Sequence, residues 1–320
     1  MTRTIIAALL LASAATTPAL AKERRHAPPA EPKAKNVILF IGDGMGISTI
    51  TAARIYEAQK RGETGEENQL SFEKFDHLAL VKTYNTNAQV PDSAGTATAM
   101  HSGTKTRIGV LGIGPDAEKG VCKDALAHPL PLLGEEVKQR GLALGIVTTT
   151  RLTHATPASV YSRSADRDWE ADSNIPADQK GQGCKDIAQQ LADAQFDVAL
   201  GGGTSVFYGK DKERAGRRVD AGADLPGAWA AKNGGTVVRT AAELAAAPMG
   251  QPVLGLFNPS HLTFLADRKP DSPEPTLTDM TAAAIARLKS DADGYYLMVE
   301  GGRIDHAHHA GQAGYALEEA

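Results

Sequence analysis

Side chains of the types that bind metal ions are concentrated near the end of the sequence. Five of them stand within ten residues: Glu300, Asp305, His306, His308 and His309. Carboxylate oxygens suit Mg²⁺, and carboxylates combined with imidazoles suit Zn²⁺. Asp305 and His309 are four residues apart, so they share one face if the chain is helical here. The pattern predicts a metal site, with a solvated loop that carries chance histidines as the alternative.

A buried strand is predicted to position these side chains. The apolar run 295–299 lies between Gly294 and the pair Gly301-Gly302, as in a strand of a parallel sheet that is covered on both faces. Open α/β sheets place their sites beyond the carboxyl ends of such strands. The position of the candidate ligands directly after the strand therefore favours a functional site.

Two other apolar runs are followed by side chains that can bind metal ions or phosphate. Asp43 follows the run 36–41 and stands between glycines, which let a metal ion or a phosphate approach the backbone closely. His154 and Thr156 follow the run 142–149. The Thr156 hydroxyl can bind Mg²⁺, and the His154 imidazole can hold a water molecule on that ion. The alternatives are a simple Asp-Gly turn and a Thr-Pro turn with an exposed histidine.

A serine and two arginines are the candidates for phosphate chemistry. Ser93 follows Asp92 and precedes a short helix-compatible segment, 96–101, and the start of a helix favours an anionic group. The alternative is that Ser93 only caps the helix. Arg163 and Arg167 come later, and an arginine beside the serine can hold two phosphate oxygens. The GxSxG motif of serine hydrolases is absent from the sequence.

Apolar runs alternate with helical patterns along the chain. Strands are predicted at 36–41, 78–84, 142–149, 196–200, 253–257 and 295–299, and the longer helices at 48–61, 132–140, 184–194, 241–247 and 277–291. This alternation predicts an α/β fold with a doubly wound, largely parallel central sheet flanked by helices. The polar, glycine-rich residues 211–240 are predicted to be a surface excursion.

Composition and the first residues indicate an exported protein. Residues 1–21 have the charge, the apolar run and the Ala-Leu-Ala end of a signal peptide, and residues 22–35 are charged and proline-rich, which predicts a disordered leader. We expect a periplasmic or secreted protein with no later membrane segment. A net charge of −4 without basic runs argues against nucleic-acid binding. In an exported protein the two cysteines, Cys122 and Cys184, favour a disulfide over two buried thiols.

Six segments of the chain together resemble the alkaline phosphatase family. In order they are NVILFIGDGMG, PDSAGTATAM with the following HSGTKT, THATPA, DRDWEADSNIP, GCKDIAQQL with DVALGGG, and VEGGRIDHAHHAG. They extend from about residue 36 to the end of the sequence. The resemblance implies metal-dependent hydrolysis of phosphate monoesters through a phosphoserine intermediate, with two Zn²⁺ ions and one Mg²⁺ ion in each full-length subunit. It also makes a homodimer an expectation.

The resemblance implies a role for each matching residue. Ser93 is the nucleophile that becomes phosphorylated, Arg167 binds the phosphate, and Asp92 orients that arginine. The implied metal ligands are Asp43, which bridges Mg²⁺ and one Zn²⁺, Thr156 and Glu300 for Mg²⁺, and Asp305 and His309 for the second Zn²⁺. His154 and His306 stand beside these ligands, in the pattern of the animal enzymes. Cys122 and Cys184 match a disulfide of the animal-type enzymes.

The resemblance also raises an expectation about completeness. The sequence stops at Ala320, shortly after the VEGGRIDHAHH strand and loop, whereas the family continues beyond this point. Residues 36–320 are therefore expected to be a catalytic domain that lacks its C-terminal part, and the 320-residue chain alone is expected to be inactive or to fold poorly. The alternatives are a phosphodiesterase or sulfatase of the same superfamily, or an inactive fragment that binds phosphate or divalent cations. Ser93 with Arg167 argues against a diesterase, and a C/S-x-P-x-R motif is absent around Ser93.

Overall fold

The central element of the structure, a computed structural model that describes residues 34–210 and 215–320, is a sheet of parallel strands. The six strands are β1 Val37–Gly42, β2 Ala143–Arg151, β3 Val198–Gly202, β4 Thr236–Val238, β5 Val253–Leu256 and β6 Tyr295–Gly301. Their spatial order is β1-β6-β2-β3-β5-β4, and every pair in it is parallel. The predicted α/β class with a parallel sheet is confirmed.

Helices cover both faces of this sheet. They are α1 Ile47–Gln59, α2 Ser93–Ser102, α3 Cys122–Ala127, α4 Leu133–Gln139, α5 Ala155–Ala158, α6 Ile187–Asp193, α7 Thr204–Phe207, α8 Leu225–Asn233, α9 Ala241–Ala246, α10 Leu277–Leu288, α11 Arg303–His309 and α12 Ala313–Glu319. Short 3₁₀ helices lie at Ser71–Lys74, Asp172–Asn174 and Leu265–Asp267. None of the helices in the described ranges has the length and apolar character needed to cross a bilayer.

The inner strands are apolar because both of their faces are buried. Along β6, Tyr296 and Met298 join one core cluster, whereas Leu297 and Val299 join a second cluster on the other face. Successive side chains of a strand point to opposite faces, so a continuous apolar run is the pattern that two covered faces require. The predicted double winding is confirmed by these two cores.

The prediction of a strand at 78–84 is wrong. This segment is irregular, and Leu78 and Leu80 are 94% and 88% exposed. Its first four residues are apolar, as in a buried strand, but no strand in the described part of the chain pairs with it. Because strand hydrogen bonds need a neighbouring strand, a short apolar run alone does not create a strand.

The surface excursion predicted for 211–240 is also wrong over much of its length. Asp224 caps α8 by accepting a hydrogen bond from Gly227 N, and Trp229 of that helix is buried and stacks on Phe196 with ring centroids 4.9 Å apart. Strand β4 then pairs with β5. The glycine and charge content of this stretch indicated a surface segment. The stretch nevertheless contains one tryptophan whose burial and packing fix its structure.

Cys122 and Cys184 form a disulfide, with Cα atoms 5.8 Å apart, which confirms the predicted pairing. The predicted signal peptide, 1–21, and most of the predicted leader, 22–35, lie outside the described residues.

Replacing both cysteines by serine is expected to lower the free energy of unfolding by about 2–4 kcal/mol, because the disulfide closes a loop of 62 residues and restricts the unfolded chain. Urea unfolding of the wild type and of the double variant measures the loss. A reductant should destabilise the wild type by a similar amount and leave the double variant unchanged. Equal stability of the two proteins without reductant would contradict the prediction.

Candidate active site

The order of the strands brings the predicted ligands together at one edge of the sheet. Strand β6 lies between β1 and β2, so Glu300 has Ile41 on one side and Thr148 on the other. Asp43 directly follows β1, and the loop after β2 leads into α5 with Thr156. Parallel strands share their carboxyl edge, and this is why segments far apart in sequence meet there.

Three side chains at this edge form a candidate metal site. Asp43, His154 and Glu300 each offer a ligand atom, and these atoms lie within 4.8 Å of one another. Among the described residues, buried polar atoms without a hydrogen-bond partner include Asp43 Oδ2, Thr156 Oγ1 and Glu300 Oε1. Buried polar atoms are almost always paired in folded proteins. Their concentration here fits a bound cation, and the mixture of oxygen and imidazole donors suits Mg²⁺ or Zn²⁺.

The charges of the two carboxylates also favour a cation. Burial, together with the neighbouring charges of Glu300 and Asp305, raises the pKa of Asp43 to about 7. Burial likewise raises the pKa of Glu300, although the hydroxyl of Thr148 opposes this effect. Two carboxylates in a site of low polarity repel each other. A cation placed between them would remove that repulsion.

Two threonines of β2 belong to this cluster and escaped the sequence reasoning. The hydroxyls of Thr148 and Thr150 both donate to Glu300 Oε2, the second over 3.2 Å. They fix one oxygen of the carboxylate and leave Oε1 free for a ligand. The only signal in the sequence is the run of three threonines that ends the predicted strand, and threonine is common in strands for other reasons.

Ser93 is the first residue of α2, but it is not the cap. Asp92 caps the helix, because its Oδ1 accepts a hydrogen bond from Gly95 N over 3.0 Å. The alternative that Ser93 serves only as a cap is therefore excluded. Ser93 lines a cleft of about 680 Å³, where the N-terminus of the helix supplies a positive potential that favours an anion.

Arg167, and not Arg163, is the arginine of this cleft. Arg167 Nη1 lies 3.2 Å from Asp92 Oδ2, and its Nη2 donates to His154 Nε2 over 3.1 Å. Arg163 pairs instead with Glu135, with both nitrogen–oxygen distances 2.6 Å. Asp92 also accepts from the amide of the buried Asn85 over 2.8 Å. Sequence reasoning missed Asn85, which lies in a tight turn that has no signal of its own.

Asp305 and His309 lie on α11, one helical turn apart, with Asp305 Oδ2 3.5 Å from His309 Nε2. The predicted shared face is thus present. His309 remains 81% exposed, and both residues line the same cleft as Ser93. His308 contacts Thr49 over 3.0 Å and is not among the residues that line this cleft.

The imidazoles of three histidines meet beside the metal candidate. His261, which follows β5 and was missed by sequence reasoning, has ring centroids 5.3 Å from His154 and 4.2 Å from His306. Burial, together with the charges of nearby arginines, lowers the pKa of His154, and the same causes lower that of His306 to about 4. Their rings are therefore neutral near pH 7, which is the form that binds metal ions or accepts hydrogen bonds.

The fold and the cleft define an α/β protein with a candidate cation and phosphate site at the carboxyl edge of its sheet. The family model for alkaline phosphatase matches residues 34–320. The chain belongs to the alkaline phosphatase family.

Known proteins support this membership. The chain is 45% identical over 304 residues to the tissue-nonspecific isozyme of alkaline phosphatase from Gallus gallus, covering 90% of this chain and 58% of that protein. The crystal structure of the Thermus thermophilus alkaline phosphatase is similar, with a TM-score of 0.72 and 32% identity, over 89% of this chain and 53% of that one. A TAB5 alkaline phosphatase mutant, solved with Mg bound, shares the fold at 24% identity and a TM-score of 0.67, over 89% of this chain and 69% of that one. The chain spans little more than half the length of the chicken protein.

Proposed function

We propose that the protein hydrolyses phosphate monoesters through a phosphoserine formed on Ser93. One observation carries the proposal: Ser93, Arg167 and the candidate ligands Asp43 and Thr156 line a single cleft. A hydroxyl at a helix start, a guanidinium and a cation site are the parts that phosphoryl transfer needs, because its transition state is stabilised mainly by positioning and by positive charge. Family membership supports the same activity.

The proposed metal positions follow from the donor set. Asp43, Thr156 and Glu300 would hold Mg²⁺, with His154 and His306 beside them. Asp305 and His309 would contribute to one Zn²⁺, and Asp43 with Ser93 to the other. When bound, such cations lower the pKa of a coordinated hydroxyl and stabilise a leaving oxygen. Two Zn²⁺ and one Mg²⁺ per full-length subunit is thus our proposal for the cofactors, and the Mg-containing TAB5 mutant is consistent with its magnesium part.

The side chains of this chain perform the remaining steps. Ser93 Oγ loses its proton and bonds to phosphorus, while the bond to the alcohol oxygen breaks and the alcohol leaves with a proton. Arg167 donates to two phosphate oxygens, and Asp92 holds its guanidinium in place. Water then attacks the phosphoserine, which releases inorganic phosphate and restores the Ser93 hydroxyl.

The proposed setting is the periplasm or the outside of the cell, and the disulfide between Cys122 and Cys184 supports it, because disulfides persist in oxidising compartments. A homodimer, which the family resemblance implies, remains part of the proposal.

The test compares p-nitrophenyl phosphate with bis-p-nitrophenyl phosphate as substrates of the full-length protein supplied with Zn²⁺ and Mg²⁺. The monoester should be hydrolysed more than about 100-fold faster, because it offers three free phosphate oxygens, two for Arg167 and one for the cations, whereas a diester offers only two and carries a second ester group. A strong chelator should abolish the activity, and the two metals should restore it. Faster hydrolysis of the diester, or full activity in the chelator, would overturn the proposal.

A further inference from the structure

A buried polar network lies in the core behind the candidate active site. His101, Ser159 and Tyr296 are almost fully buried among apolar neighbours, and His101 contacts the other two. His101 Nδ1 is 2.8 Å from Ser159 Oγ, and His101 Nε2 is 3.0 Å from the Tyr296 hydroxyl. Burying three polar groups in an apolar core is costly unless all of them are paired. Their complete pairing here calls for an explanation.

The direction of each hydrogen bond in this network is determined. Ser159 Oγ donates its only proton to the carbonyl oxygen of Thr156 over 2.7 Å. It must therefore accept from His101 Nδ1, which also faces the carbonyl of Ala97 over 3.1 Å and can only donate there. With the proton on Nδ1, Nε2 of the neutral ring accepts from the Tyr296 hydroxyl. Burial lowers the pKa of His101 to about 4, so the ring stays neutral near pH 7.

The network joins three elements that each carry a site residue. His101 is on α2, the helix that begins with Ser93. Ser159 directly follows α5 and binds the backbone of Thr156, a candidate Mg²⁺ ligand. Tyr296 is on β6, four residues before Glu300. His101 thus belongs to the helix that begins with Ser93. Through Ser159 it is connected to the peptide of Thr156, and through Tyr296 it is connected to the strand that carries Glu300.

We propose that His101 is a positioning residue for the magnesium end of the site, which holds the helix of Ser93, the peptide of Thr156 and the strand of Glu300 in one fixed arrangement. The inference rests on the proposed function, because it presumes that Asp43, Thr156 and Glu300 bind a cation. Sites for Mg²⁺ demand near-ideal ligand geometry. A small shift of α5 relative to β6 therefore weakens binding even though no ligand is removed.

The experiment measures Mg²⁺ binding to the metal-free, full-length protein by isothermal titration calorimetry, with thermal unfolding recorded for each variant. We expect His101→Leu to weaken Mg²⁺ binding about tenfold, within the range by which the supporting partners of metal ligands act. His101→Asn keeps a donor near the position of Nδ1 and should recover part of the affinity. Glu300→Gln should remove the binding signal and so assign it to this site.

Two controls distinguish an effect on the positions of the Mg²⁺ ligands from an effect on the stability of the protein. The triple variant His101→Leu, Ser159→Ala, Tyr296→Phe removes all three polar side chains of the network, so only the Thr156 carbonyl loses its side-chain donor. It should regain part of the stability lost in His101→Leu while its Mg²⁺ affinity stays low. Leu244→Ala empties part of the second core cluster and should lower stability without changing the affinity. If both His101→Leu and the triple variant bind Mg²⁺ with wild-type affinity, this inference is overturned and the proposed function is not affected. A wild-type protein without Mg²⁺ binding would contradict the proposed function together with this inference.

Discussion

Hydrolysis of phosphate monoesters is expected to fall by at least about 1000-fold when Ser93 is replaced by alanine, because the variant has no oxygen on which the phosphoserine can form. Arg167 and the candidate metal ligands remain in the cleft, so inorganic phosphate should still bind. Steady-state rates with p-nitrophenyl phosphate measure the first effect, and calorimetry with phosphate measures the second. Intact-mass analysis at low pH should show one added phosphoryl group on the wild type and none on Ser93→Ala.

Ser102→Ala is the matched control for this variant. Ser102 ends the same helix, outside the cleft that Ser93 lines, and its hydroxyl donates to the carbonyl of Thr98. We expect its activity to remain within about twofold of the wild type, since surface or helix-end hydroxyls contribute little. Substantial turnover by Ser93→Ala would contradict the phosphoserine mechanism. A wild type that binds phosphate without any turnover would support instead the alternative of a phosphate-binding protein.

Binding of Mg²⁺ is expected to strengthen by up to about tenfold per pH unit between pH 5 and about pH 7 and then to level off, because the cation must displace a proton from Asp43, whose pKa burial raises to about 7. Calorimetric titrations at a series of pH values measure this dependence. Asp43→Asn should lose most of the affinity and also this slope. A wild-type affinity that is independent of pH would show that Asp43 is not the group that titrates.

The same raised pKa determines how the metal-free protein responds to pH. The folded state keeps a proton on Asp43 that the unfolded chain, with an ordinary pKa of 3.8, already releases. The free energy of unfolding therefore has its full contribution from Asp43 below about pH 4 and loses it as the pH rises towards about 7. Saturating Mg²⁺ should restore stability most strongly above pH 7, where the carboxylate is ionised.

Several residues of the candidate site were predictable because they interrupt strong local patterns. Asp43 and Glu300 stand where apolar runs end, and Ser93 stands where a segment of small residues begins. In a parallel sheet those positions share one edge, so the chemistry follows from the alternation of strands and helices. Periodicity also distinguished the buried strands from the amphipathic helices, which is why the α/β class was correct.

Other parts of the site depend on the order of the strands, which local patterns do not contain. Strand β6 enters between β1 and β2 although the three are far apart in sequence, and only this order places Thr148 against Glu300. Asn85 and His261 become neighbours of the site through turns and loops whose residue types are ordinary there. The prediction of a strand at 78–84 is wrong for a related reason: a strand forms only where another strand is available to pair with it, and the composition of the segment does not show this.

The position of strand β1 at the edge of the sheet affects how readily this part of the protein opens locally. In the described ranges it is hydrogen-bonded to β6 on one side only, and Phe40 is 62% exposed. Edge segments with few buried contacts have the lowest free energies of local opening, so their amide hydrogens exchange with solvent before those of the inner strands. Asp43 follows directly after β1, and a cation held between it and Glu300 would pin the end of this strand to β6. If the site binds a cation, its occupancy and the local opening of β1 would therefore be thermodynamically linked, because an ion that binds only the closed edge would suppress its opening.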